Sequence, residues 1–199
     1  MVDPSSAWPG YARPMKQFTM RINKHCSVPP EAVYDLVADL RTHLIWGGEQ
    51  QSGVFRLLSL DAPAGPATTR TSFTSTGSIP MASVTFEDRS QVTVAERPHT
   101  FEFVTHARVH RSRRPMEATY RHRYEITAAP AGSEISYVLT QLEISNPSLR
   151  LALPVVRTMT WRVGLPFMAG RGFRNLLAMA ERGGNPERAA LTTSQVDSR

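Results

Sequence analysis

The stretch from residue 155 to 182, VVRTMTWRVGLPFMAGRGFRNLLAMAER, carries the one long helical period of the chain, and it limits what the rest can become. Val156, Met159, Val163, Phe167, Gly170, Phe173, Leu177 and Ala180 follow one another at spacings of three or four, which places them on one helix face. Arg157, Trp161, Arg171, Asn175 and Arg182 fall on the opposite side. A helix with such a stripe has to bury it against another layer. The sequence upstream reads mostly as strands, so that layer is expected to be a sheet. Gly164, Pro166, Gly170 and Gly172 weaken the middle of the segment, since an interior proline loses a backbone bond and costs roughly 3 kcal/mol. A helix loosened in this way can cross a sheet without filling every gap beneath it.

The strands are read from alternation. Between Lys16 and Val28, Phe18, Met20, Ile22 and Cys26 point one way, while Thr19, Arg21, Asn23 and His25 point the other. Pro29-Pro30-Glu31 starts a short helix with the buried stripe Val33, Leu36 and Val37, and Asp39 to Trp46 continues as a second, ended by Gly47-Gly48. Strands are then expected over 54–61, 68–75, 83–88, 91–96, 100–109, 116–127 and 134–144, with turns at Asp88-Arg89-Ser90, at Arg97-Pro98-His99 and over 128–132. The stretch TGSIPMAS, residues 76–83, interrupts this pattern. Strands joined by short turns form an antiparallel sheet, and with helices on one side of it the class is α+β.

Residues 1–14, with Pro4, Pro9 and Pro14, read as a flexible arm, residues 15–182 as one domain, and residues 183–199 as a disordered tail. The formal charge of +6 raises nucleic acid and anionic membrane as partners. The basic residues are scattered, however, and the one dense group, Arg108, His110, Arg111, Arg113 and Arg114, falls at an expected hairpin turn. No nucleic-acid partner is therefore expected, and a membrane surface stays as a lesser alternative. The single Cys26 excludes an intramolecular disulfide and a cysteine-rich zinc site. The N-terminal residues lack an apolar signal core, which makes a cytoplasmic location the expectation. The oligomeric expectation is a monomer or homodimer.

The segment CSVPPEAVYDLVADLRTHLIW resembles the opening of START-like (SRPBCC) proteins, at Pro29, Pro30, Glu31, Val33, Tyr34, Leu36, Asp39 and Trp46. The closing stretch GFRNLLAMAE, from Gly172 to Glu181, is similar to the family's last helical turns. The order strand, two helices, about six strands, helix agrees over roughly residues 16 to 182. The family includes polyketide cyclase/dehydrase and Bet v 1-like proteins. The resemblance implies a helix-grip fold: a curved antiparallel sheet of about seven strands around the C-terminal helix, enclosing an apolar cavity. Its members range from lipid carriers to cyclases, so function has to come from the site.

The strand MEATYRHRYEI is the most informative for that site. Met116, Ala118, Tyr120, His122, Tyr124 and Ile126 share one face, and the charged and polar residues share the other, so the first face points inward. Tyr and His offer an apolar body with a polar tip, suited to orienting a ligand. The alternatives are a polar core cluster, or a catalytic one in which a histidine titrating at about pH 6.5 acts as base and a tyrosine holds a carbonyl oxygen. The candidate catalytic residues are thus His122, Tyr120 and Tyr124, with no metal or cofactor. Other expected wall residues are Trp46, Phe101, Phe103, Tyr137, Met159, Val163 and Phe167; Arg70 either reaches inward to an acidic ligand group or stays exposed on the polar face of its strand. Ile135, Tyr137 and Leu139 share a face of the last strand, but Val138, Leu142 and Ile144 leave its phase open. No nucleophile elbow, P-loop or zinc motif occurs. His25 and Cys26 point to opposite faces and cannot form a nucleophile pair. The function expected is binding of a small hydrophobic or aromatic ligand; the alternatives are a polyketide cyclase/dehydrase-like enzyme and a peripheral lipid- or quinone-binding protein.

Overall fold

A computed structural model describes residues 17–49, 56–79, 84–110, 116–145, 162 and 165–183. The expected arm and most of the expected tail lie outside these residues. Strand β1 (Phe18–Cys26) leads into helix α1 (Pro30–Ala38), the short helix α2 (Thr42–Leu44) and a wide turn at Ile45–Glu49. Six strands follow: β2 (Arg56–Asp61), β3 (Ser72–Ile79), β4 (Val84–Glu96), β5 (Thr100–His110), β6 (Met116–Ala129) and β7 (Gly132–Ile144). Helix α3 (Leu165–Gly183) is the last described element. The sheet is antiparallel throughout, in the order β1-β7-β6-β5-β4-β3-β2. This is the helix-grip α+β architecture. No helix among the described residues is long and apolar enough to cross a membrane.

Local chemistry explains the helices. Pro30 occupies the start of α1, where its missing N–H has no intrahelical acceptor to lose, and Glu31 meets the positive end of the helix dipole. Val33, Tyr34, Val37 and Ala38 then bury one stripe. In α3 the stripe falls on Phe173, Leu177 and Ala180 as the spacing requires, and Leu176, fully buried, widens it. Arg171 and Arg182 are exposed.

The two ends of the fold are tied together. Ser27 donates its backbone N–H and its hydroxyl to Glu181 Oε1 of α3, at 3.1 and 3.0 Å. Arg97, in the β4–β5 turn, holds Asp35 of α1 through two bonds of 2.7 and 2.9 Å. Gly132 opens β7 at φ +128, and a Cβ there would collide with the Cys26 carbonyl oxygen. Only glycine combines that backbone angle with that close approach.

Two sequence expectations are corrected, and one open reading is closed. Asp88-Arg89-Ser90 is not a turn: β4 runs unbroken from Val84 to Glu96, and Asp88 and Ser90 continue its inward alternation. Strand β3 begins at Ser72 and takes in residues 76–79; residues 68–71 form a turn in which Thr71 N–H bonds the Thr68 carbonyl oxygen at 3.0 Å. Residues 80–83 lie outside the described set. The phase of β7 is settled by a bulge: Tyr120 pairs with Gln141 and Thr119 with Glu143, so Leu142 is the extra residue. Tyr137, Leu139 and, beyond the bulge, Ile144 all return to the buried face.

Candidate functional site

A cavity of about 230 Å³ lies between the concave face of the sheet, the α2 region and α3. Register places its walls. Phe103 pairs with His122, His122 with Leu139, and Tyr124 with Tyr137, so these side chains share the concave face across β5, β6 and β7. Phe173 closes this side from α3, its ring centroid 6.2 Å from that of Tyr137. Trp46 and His43 close another side, with ring centroids 4.6 Å apart.

The polar tips in this apolar wall are specifically held. His122 stacks on Phe103 at 4.5 Å with 10° between the planes, and its Nδ1 is 2.9 Å from the Tyr137 hydroxyl. The His43 ring donates from Nε2 to the Val37 carbonyl oxygen at 2.8 Å, which leaves Nδ1 as the acceptor nitrogen. Trp46 Nε1 donates to Thr42 Oγ1 at 3.2 Å. Burial disfavours the charged imidazoles, so the pKa of His43 is lowered to about 4 and that of His122 to about 3, the latter also opposed by charge on His43. Burial likewise pushes the phenols of Tyr124 and Tyr137 up. All four groups are therefore neutral around pH 7.

The remaining wall is polar and comes from β3, β4 and β5. Ser75 pairs with Asp88, and Ser90 pairs with Thr105 while bonding it hydroxyl to hydroxyl at 2.9 Å. Asp88 Oδ1 is buried with no hydrogen-bond partner, and desolvation raises this carboxyl to about 7.

Of the residues singled out in the sequence, Trp46, Phe103, His122, Tyr124 and Tyr137 line the cavity together. Phe101 is wholly buried beside it, against Tyr34, and Tyr120 packs against the core without lining the cavity. Arg70 does not point inward: it is exposed in the turn before β3, at φ 73, with its N–H on the Val92 carbonyl oxygen at 2.8 Å. Met159 and Val163 lie outside the described residues, as does the Phe167 side chain. Sequence reasoning missed His43, Ser75, Asp88, Ser90 and Thr105. The one available signal was the even spacing of Phe86, Asp88, Ser90 and Val92, which runs straight through the supposed turn. Of the basic group at 108–114, Arg108 pairs with Glu117 at 2.9 Å across the strands, and residues 111–114 are outside the described set. Among the described residues no cluster of His, Cys, Asp and Glu is arranged to hold a metal ion.

Fold and cavity together define a helix-grip protein with an aromatic pocket that is polar along one wall. No family model and no curated protein matches the chain. Solved structures do match it. An uncharacterized protein from Rhizobium leguminosarum superposes with a TM-score of 0.60 at 10% identity, covering 84% of this chain and 96% of its own. A Chromobacterium violaceum protein gives 0.55 at 12% identity, covering 82% and 98%. The AHSA1 protein from Silicibacter pomeroyi gives 0.51 at 17% identity, covering 81% and 96%. At these identities the likeness is one of fold alone.

Proposed function

We propose that this chain is a START-like protein that binds a small hydrophobic or aromatic ligand in the cavity between the sheet and α3. The observation that carries the reading is the wall itself: aromatic surface interrupted by a few fixed polar groups, among them the hydrogen-bonded His122–Tyr137 pair. That mixture is what ligand sites use to combine affinity with orientation. The volume of about 230 Å³ falls below the 300–1,000 Å³ usual for drug-sized ligands, so one or two fused rings fit better than a long lipid tail.

Binding has more support than the cyclase/dehydrase-like alternative. A base drawn down to about pKa 3 by burial is a weak proton acceptor at neutral pH, and Tyr120 stands outside the cavity lining. Native mass spectrometry of the purified protein, repeated after unfolding, tests the reading. A retained small organic molecule, released on unfolding, is the expected result. An empty protein whose thermal stability also ignores a panel of two-ring aromatic compounds would overturn it.

A further inference from the structure

The polar wall says which end-group such a ligand carries. Asp88 stands on the concave face between Ser75 of β3 and Ala107 of β5, neither of which can neutralise it. Its strand neighbours Glu87 and Arg89 alternate to the outer face, and Phe86 and Ser90 share its own. No lysine or arginine lines the cavity among the described residues; β2 contributes Leu57 and Leu60, and α3 contributes Ala169, Gly172 and Phe173. The other titratable groups lining it are His43, His122, Tyr124 and Tyr137, all held neutral around pH 7 by burial. A buried carboxyl oxygen without a partner is costly, and native proteins keep such groups where a ligand completes them.

Resting on the ligand-binding reading above, we infer that the cavity selects small aromatic amines, whose ammonium group meets the unpartnered Asp88 carboxylate while the ring lies against the aromatic wall. An ammonium supplies the missing hydrogen bond and the missing countercharge in one group, and the aromatic faces of the same cavity favour a cation. Neutral imidazoles at His43 and His122 add no competing positive charge. A carboxylic acid of the same shape would instead place two acidic groups in one desolvated space.

Calorimetric titration with four probes of matched shape tests this: naphthylethylamine, its alcohol, ethylnaphthalene and naphthylacetate. At pH 8, where Asp88 is largely ionised, the amine is expected to bind at least about tenfold more tightly than ethylnaphthalene, with naphthylacetate weakest. Asp88→Asn keeps the shape and removes the charge; it should abolish the amine preference while leaving ethylnaphthalene affinity within about twofold. The amine preference should also shrink from pH 8 to pH 5, as Asp88 takes up its proton. If all four probes bind alike and Asp88→Asn changes nothing, the amine inference fails while the cavity reading stands. If the alcohol binds best and depends on Asp88, the group is a neutral hydrogen-bonding one and the amine inference fails. If none of the four probes binds, both fall.

Discussion

Phe101→Ala should lower folding stability by about 3–5 kcal/mol, a large share of what a domain of this size has. Phe101 is fully buried, with its ring edge-on to Tyr34 of α1 at 6.1 Å and tilted against Phe103 at 6.2 Å. It therefore joins the helical layer to the centre of the sheet, and its removal leaves a void that the hydrogen-bonded strands on either side cannot collapse into. Phe101→Leu keeps most of the volume and should cost less than half as much. Urea unfolding of both variants checks this, and equal losses for the two would show that the site is not closely packed.

A second large effect is hidden in the wild-type protein and should appear in Asp88→Asn. The folded pKa values of His43 and His122 are depressed, so the stability they contribute is present above their unfolded value of about 6.5 and is lost as pH falls below it. Asp88 has the opposite sign. Its folded pKa is raised to about 7, so the fold gains stability as pH falls from about 7 towards 4. Between pH 7 and 4.5 the histidines remove roughly 3–5 kcal/mol and Asp88 returns roughly 3, so Asp88 offsets much of the loss the histidines cause. Asp88→Asn removes the offset: it should be more stable than wild type at pH 8 and should lose stability steeply on acidification. Adding His122→Phe, which keeps the stack on Phe103, should recover roughly half of that loss. Parallel pH profiles for wild type and Asp88→Asn would contradict the assignment of Asp88 as a buried, unpaired carboxyl.

Much of the fold was legible because its elements obey a single period. The Pro-Pro-Glu start of α1, the alternation in β1 and β6, and the Phe173–Leu177–Ala180 stripe each state a local structure that packing then leaves unchanged. The aromatic half of the cavity was legible for the same reason, since β6 and β5 show one apolar face. The polar half was not. Asp88, Arg89 and Ser90 have the composition of a turn, and nothing local distinguishes a polar residue facing solvent from one facing an internal cavity. Only the pairing of β4 with β3 and β5, a long-range fact, makes the distinction. The segment around Arg70 was misread as strand by a related error: a Thr/Ser-rich run suits a strand, but a left-handed residue and the Thr68–Thr71 bond turn the chain there instead. The phase of β7 depended on one extra residue, Leu142, whose bulge shows only against its partner strand.

The most direct test of the ligand-binding account is titration of the protein with ethylnaphthalene, side by side with Leu139→Trp. Leu139 lines the cavity between His122 of β6 and Met20 of β1, so an indole placed there fills the space a ligand would use. The expected result is binding at one site in the wild type and its loss in a Leu139→Trp protein whose circular dichroism shows it folded. Binding that persists unchanged in that variant, or no binding to the wild type, would contradict the account.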